Sequence, residues 1–202
     1  MFVSKPNGFK VFKPQQLIPL AGPNAIPSCT THLLIRVQHT FPRTHIPQHI
    51  TSLNLSYPKI WEKHEEPDWM MDNLPIHLQI LNAEVENKPL DHLPPSLKKL
   101  NLGRYPQAAS VDHLPSSLTH LTFYFSIKAK KYGSLDHLPQ NLTHLETSWC
   151  NVDHLPSLIS LKIVRAMEVA PEERRKKKWL KSLDHLPSSL KSLDLKIGRA
   201  HV

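Results

Sequence analysis

The sequence predicts an α/β solenoid: a stack of short coils sharing one continuous parallel β-sheet, horseshoe-like, with a few short helices confined to insertions. Three observations predict it. A unit reading Asp-His-Leu-Pro-x-x-Leu-x-x-Leu-x-apolar recurs along the chain. Proline is frequent and evenly spread, 19 against 5 glycines in 202 residues, which excludes long helices because proline has no N–H to donate and clashes in a helix interior. Each unit ends in a Leu-x-apolar alternation, the period of a strand with one buried face.

The clearest copies begin at Leu90 and Val111, with further ones at Leu135, Val152 and Leu183. With the proline as anchor, apolar residues fall three, six and eight positions later. The same ruler finds degenerate copies upstream: Pro75 gives Leu78, Leu81 and Ala83; Pro47 gives Ile50, Leu53 and Leu55; Pro27 gives Thr30, Leu33 and Ile35. The anchors are Pro27, Pro47, Pro75, Pro94, Pro115, Pro139, Pro156 and Pro187, about eight repeats at a mean spacing of about 23 residues, inside the leucine-rich-repeat range. The copy after Pro156 is one residue short, with Leu158, Leu161 and Ile163 in the apolar places.

Each part of the unit has a physical reading. In Leu121-Thr122-Phe123 the first and third residues face the core and the second faces solvent. Successive strands pair in parallel about 4.8 Å apart. The Leu-Pro step favours an extended, polyproline-like path, the Asp before it suits a turn, and the leucine three residues after the proline plugs the space between layers. One coil cannot bury its own apolar face, so stacking must do it.

Two long intervals hold extra material. Residues 57–71 contain Pro58 at the start of a short helical pattern. In residues 171–180, Pro171, Glu172 and Glu173 open and Arg174, Arg175, Lys176, Lys177 and Lys178 close a segment whose charges suit a helix dipole, with Glu172/Lys176 and Glu173/Lys177 as i,i+4 pairs. Residues 1–24 lack the unit and are read as an N-terminal cap, with Phe9, Val11, Phe12, Leu17, Ile18 and Leu20 covering the first coil. The solenoid spans 25–196. The last six residues, Ile197-Gly198-Arg199-Ala200-His201-Val202, resemble the translation of a common sequencing-adapter stretch, so a non-native tail and an interrupted reading frame are expected there.

The formal net charge is +8, but much of the excess sits in the Arg174–Lys178 run. That run reads as a solvated helix face, with a nuclear-localisation or nucleic-acid patch as the sharper alternative. Cys29 and Cys150 have no metal-like spacing and are read as isolated reduced thiols. No apolar leader and no run long enough to span a bilayer is present, so a cytoplasmic monomer is expected, with a nuclear location as the variant.

The stretch 87–103, with Asn87-Lys88-Pro89 before Leu93-Pro94-Pro95-Ser96-Leu97-Lys98-Lys99-Leu100, resembles an FNIP repeat, as does Ile46-Pro47-Gln48-His49-Ile50-Thr51-Ser52-Leu53. FNIP repeats are a leucine-rich-repeat subtype of social amoebae and giant viruses. The resemblance implies a protein-interaction solenoid, in some members joined to an F-box and hence to substrate recruitment by a ubiquitin ligase. The Leu-Pro-rich repeats of bacterial effector ligases are a second resemblance.

No catalytic residue, cofactor or metal site is expected. His92, His113, His137, His154 and His185 share one repeat position, but a row of imidazoles lacks the converging ligands and fixed supporting groups of a metal site. The adjacent Asp and His have no nucleophile or phosphate-loop motif beside them. The candidate partner-binding residues are those between the inward leucines, on the concave face: Arg36, Asn54, Asn82, Asn101, Thr122, Tyr124, Glu146, Lys162 and Asp194, with Lys196, and flanked by Lys99, His120, His144 and Ser192. Tyr124 is the expected anchor. The expected partner is an unidentified protein; the rival reading is a basic nucleic-acid-associated repeat protein.

Overall fold

The computed structural model describes residues 3–4, 10–12, 26–36, 46–56, 73–83, 90–105, 113–125, 137–148, 155–164 and 186–196. They form one ten-stranded sheet whose spatial order is the order of the chain. Its strands are β1 (Val3–Ser4), β2 (Lys10–Phe12), β3 (His32–Arg36), β4 (Ser52–Ser56), β5 (Ile80–Ala83), β6 (Lys99–Tyr105), β7 (His120–Phe125), β8 (His144–Thr147), β9 (Ser160–Val164) and β10 (Ser192–Lys196). All neighbours pair in parallel except β1 with β2. The sheet therefore runs past the first repeat into the segment expected to act as a cap. Among the described residues there is no helix, and none long and apolar enough to cross a membrane. The expected helices at 57–71 and 171–180, and the tail at 197–202, lie outside the described residues.

Register follows the repeat. Leu33, Leu53, Leu81, Leu100, Leu121, Leu145, Leu161 and Leu193 stand side by side across eight strands. All but the last are buried, as are the plugs Ile50, Leu78, Leu97, Leu118, Leu142 and Leu158. A one-residue slip would turn the whole set outward, so the leucines specify the pairing. At the edge strand β10 no described strand follows, and Leu193 and Leu195 are 42% and 38% exposed. Three polar residues are buried. Ser52 opens β4, Thr147 takes an apolar place, and Thr30 stands at the plug position with a hydroxyl that finds no partner.

The extended step predicted at Leu-Pro ends at the proline itself. Its carbonyl accepts the N–H of the residue three places on, closing a tight turn, in seven coils at 2.9–3.1 Å: Pro27/Thr30, Pro47/Ile50, Pro75/Leu78, Pro94/Leu97, Pro115/Leu118, Pro139/Leu142 and Pro187/Leu190. In the short copy the turn closes from Leu158 onto Leu155 at 3.2 Å. Leu155, not Pro156, is the structural anchor there. The distance to the plug is what the coil conserves, and Pro156 moves out to an exposed turn position.

The coils are stitched together just before the strands. The carbonyl of Lys98 accepts the N–H groups of both Thr119 and His120, at 2.9 and 3.0 Å. The carbonyls of Thr31, Thr51, Gln79, Thr119, Thr143 and Ile159 make the same two-for-one bond. A carbonyl has two lone pairs, and here both are used. Serine two places after the proline adds a bond to the preceding plug's carbonyl: Ser96 to Leu78 at 2.8 Å and Ser117 to Leu97 at 2.7 Å; Ser189 donates likewise to Leu158 at 2.7 Å. Gly103 marks a bulge in β6. Its φ of 58° is left-handed, where a Cβ would cost, and its N–H bonds the Asn101 side chain at 3.0 Å.

Leu121 sits in the middle of this stack, 1% exposed. Leu121→Ala is expected to cost about 2–5 kcal/mol through the cavity it leaves. Denaturant titration checks this; a loss below about 1 kcal/mol would remove Leu121 from the core.

Candidate functional site

Strand alternation puts every second residue of β3–β10 on the solvent side of the sheet. One row of that face is fixed by register: Leu34, Asn54, Asn82, Asn101, Thr122, Glu146, Lys162 and Asp194. Seven of the predicted residues therefore come together as one line. Arg36 does not join it. It lies two residues further along β3, paired with Ser56, and Leu34 occupies the row position instead. Tyr124 also lies one step further along, on β7, paired with Arg104. A parallel row at the strand entrances contains His32, Ser52, Ile80, Lys99, His120, His144, Ser160 and Ser192. The flanking residues named from sequence fall in this second row.

Three strands carry a connected polar cluster. The Tyr124 hydroxyl donates to Glu146 Oε1. Lys162 Nζ lies 2.6 Å from the same oxygen. Asp194 and Lys196, on the next strand, add their charges to Lys162 and Glu146 respectively. The Tyr124 hydroxyl is pushed well above its ordinary value, first by burial and then by its bond to the Glu146 carboxylate. For Glu146, burial works upward, but the bonds from Lys162 and Tyr124 outweigh it and hold the carboxyl below its ordinary value. The Lys162 ammonium is raised by its bond to Glu146.

Beside this cluster the His120 and His144 rings stack, centroids 4.1 Å apart and planes 4° from parallel. Each ring is held from behind by the threonine before it. Thr119 Oγ1 lies 2.9 Å from His120 Nδ1, and Thr143 Oγ1 lies 2.9 Å from His144 Nδ1. Thr119 Oγ1 also donates to the Lys98 carbonyl at 3.1 Å, and Thr143 Oγ1 to the Thr119 carbonyl at 3.0 Å. Each threonine hydroxyl thus bridges the preceding coil's carbonyl and the Nδ1 of the ring that follows it. His120 is held below the ordinary histidine value by burial first, then by His144 and Lys99.

Sequence reasoning placed His120 and His144 only at the rim of the site and missed their pairing. The recurring Thr-His dipeptide, at 31–32, 119–120 and 143–144, was the available signal. The repeated His92, His113 and His137 are exposed, each in a turn. Among the described residues no group of three or more His, Cys, Asp or Glu could hold a metal ion. Cys29 is exposed and in no disulfide. Cys150, His154, His185 and the Arg174, Arg175, Lys176, Lys177 and Lys178 run lie outside the described residues.

Residues 87–125, which include β6 and β7, match the family model of the FNIP repeat. No curated protein matches the chain.

The depressed Glu146 carboxyl carries a pH signature. A carboxyl lowered in the folded state stabilises the fold above its unfolded value of 4.5, and that contribution fades as pH falls through the folded value. Glu146→Gln is therefore expected to lower the melting temperature slightly at neutral pH and not at all in strong acid. A difference that persists unchanged into strong acid would mean that the carboxylate is not what the network uses.

Proposed function

We propose that this FNIP-repeat chain is a protein-binding solenoid that engages a partner through the solvent face of its sheet. The observation that carries the reading is the division of labour across each strand. Inward positions are almost uniformly apolar, while the aligned outward positions hold a varied set: three asparagines, a threonine, a glutamate, a lysine and an aspartate beside a tyrosine. Packing demands sameness on one side and leaves the other free to encode recognition.

Tyr124 is the anchor in this reading. Its bond to Glu146 fixes the ring before any partner arrives, which reduces the ordering cost of binding. Tyrosines at interface centres often carry much of the binding energy. The role is binding rather than catalysis, in a cytoplasmic or nuclear setting, and the FNIP resemblance extends it to substrate recognition within a ubiquitin-ligase adaptor. The rival, a nucleic-acid-associated repeat protein, draws on the net charge of +8.

Affinity capture with nuclease-treated lysate tests the proposal. Proteins held by the native chain should be retained by a turn variant, Asp91→Ala, and weakened at least about tenfold by Tyr124→Ala. Equal retention by both variants would refute the sheet-face reading. Loss of every partner on nuclease treatment would favour the rival.

A further inference from the structure

The Thr119–His120 and Thr143–His144 pairs play no part in the account so far, yet they are more ordered than solvated histidines need to be. Both Nδ1 atoms are engaged by threonine hydroxyls, so Nε2 is the nitrogen each ring has left to offer a ligand. Protonation makes both Nε2 atoms N–H donors and charges both rings, whose centroids lie 4.1 Å apart. The two oxygens of one carboxylate can take one donor each. Lys99, in register with His120 on the adjacent strand, adds a fixed cation. We propose that His120, His144 and Lys99 form a proton-gated subsite for a carboxylate of an acidic peptide segment, a proposal that rests on the sheet face being the binding surface.

The surroundings support the gating. The charged and titratable groups on this part of the face are Lys99 from β6, Tyr124 on β7, and His144 and Glu146 from β8. Tyr124 and Glu146 are committed to each other, and Glu146 also to Lys162, so neither is available to neutralise a charged histidine pair. Two stacked imidazolium rings next to a lysine repel one another. His120 is held below the ordinary histidine value, by burial first and then by His144 and Lys99. An arriving carboxylate relieves that repulsion and raises the pair's affinity for protons. By linkage, protons raise the affinity for the carboxylate as pH falls through the histidine range.

The same face disfavours a nucleic acid. Glu146 and Asp194 flank Lys162 along the central row, Glu146 on the strand of His144 itself and Asp194 two strands further on. A continuous phosphate backbone laid across the sheet meets those carboxylates. A peptide with one well-placed acid does not.

The test uses the full chain and a fluorescein-labelled, C-terminally amidated glycine-serine peptide carrying a single glutamate, read by anisotropy. Affinity is expected to rise about tenfold for each coupled proton as the pH falls from about 7.5 to about 6, a range in which glutamate stays ionised. His120→Gln with His144→Gln should abolish that rise while melting like the native chain. A readout independent of refolding comes from nitrogen NMR of the native imidazoles. The peptide should raise both titration midpoints. Binding that ignores pH, or keeps its pH dependence in the double variant, overturns the subsite. Binding that is lost in Tyr124→Ala but indifferent to the histidines also overturns it, and leaves the sheet-face reading standing. Poly-uridylate binding more tightly than the peptide, with the same histidine dependence, overturns the choice of an acidic peptide.

Discussion

A coil of this protein cannot hide its own leucines, and everything else in the structure answers that constraint. Each strand is short, four to seven residues in the repeats, and has one apolar side. Only the next coil, placed in the same register, covers it. The cross-coil hydrogen bonds make that placement specific. One carbonyl per coil takes two N–H groups from the coil that follows, and a serine or threonine hydroxyl often adds a third tie. Because these bonds are repeated rather than shared, stability should accumulate coil by coil, as in other solenoids. The exposure of Leu193 and Leu195 at β10 shows the same rule from the other direction: where no described coil follows, the inward leucines meet solvent.

The constraint also shapes what the protein can do. Register that aligns the leucines inside must align their neighbours outside. The solvent face is therefore an ordered grid, with side chains in rows about 4.8 Å apart. Tyr124, Glu146 and Lys162 link across three strands because the grid brings them within reach, and His120 and His144 stack for the same reason. Neither arrangement needs a special loop. Both arise from variable residues placed on an invariant scaffold, which is the property expected of a recognition surface.

Much of this was legible in the sequence because period and spacing are direct consequences of packing. The Leu-x-apolar ending located the repeat strands, and the proline ruler located the plugs even in degraded copies such as Pro27 and Pro47. What escaped was set by backbone geometry or by contacts between coils. The short copy was anchored on Pro156, whereas the turn preserves the distance to Leu158 and so begins at Leu155. The two variable residues after the proline looked interchangeable, yet the second, when serine, bonds the preceding coil. Arg36 was assigned to the recognition row, where the register of β3 with β4 places Leu34. The stacking of His120 on His144 depends on register between coils, which no single repeat displays.

The claim on which the whole account stands is that strands far apart in sequence lie in one parallel, in-register sheet. Spin labels at Asn54 and Lys162 test it most directly. These residues share the central row, five strands apart from β4 to β9. At about 4.8 Å per strand their Cα atoms should lie roughly 24 Å apart. Pulsed electron resonance should give one narrow distribution near that value, broadened only by the label linkers. A distribution centred beyond about 40 Å, or one spread over the range of an unfolded chain, would contradict the stacked sheet and the recognition surface built on it.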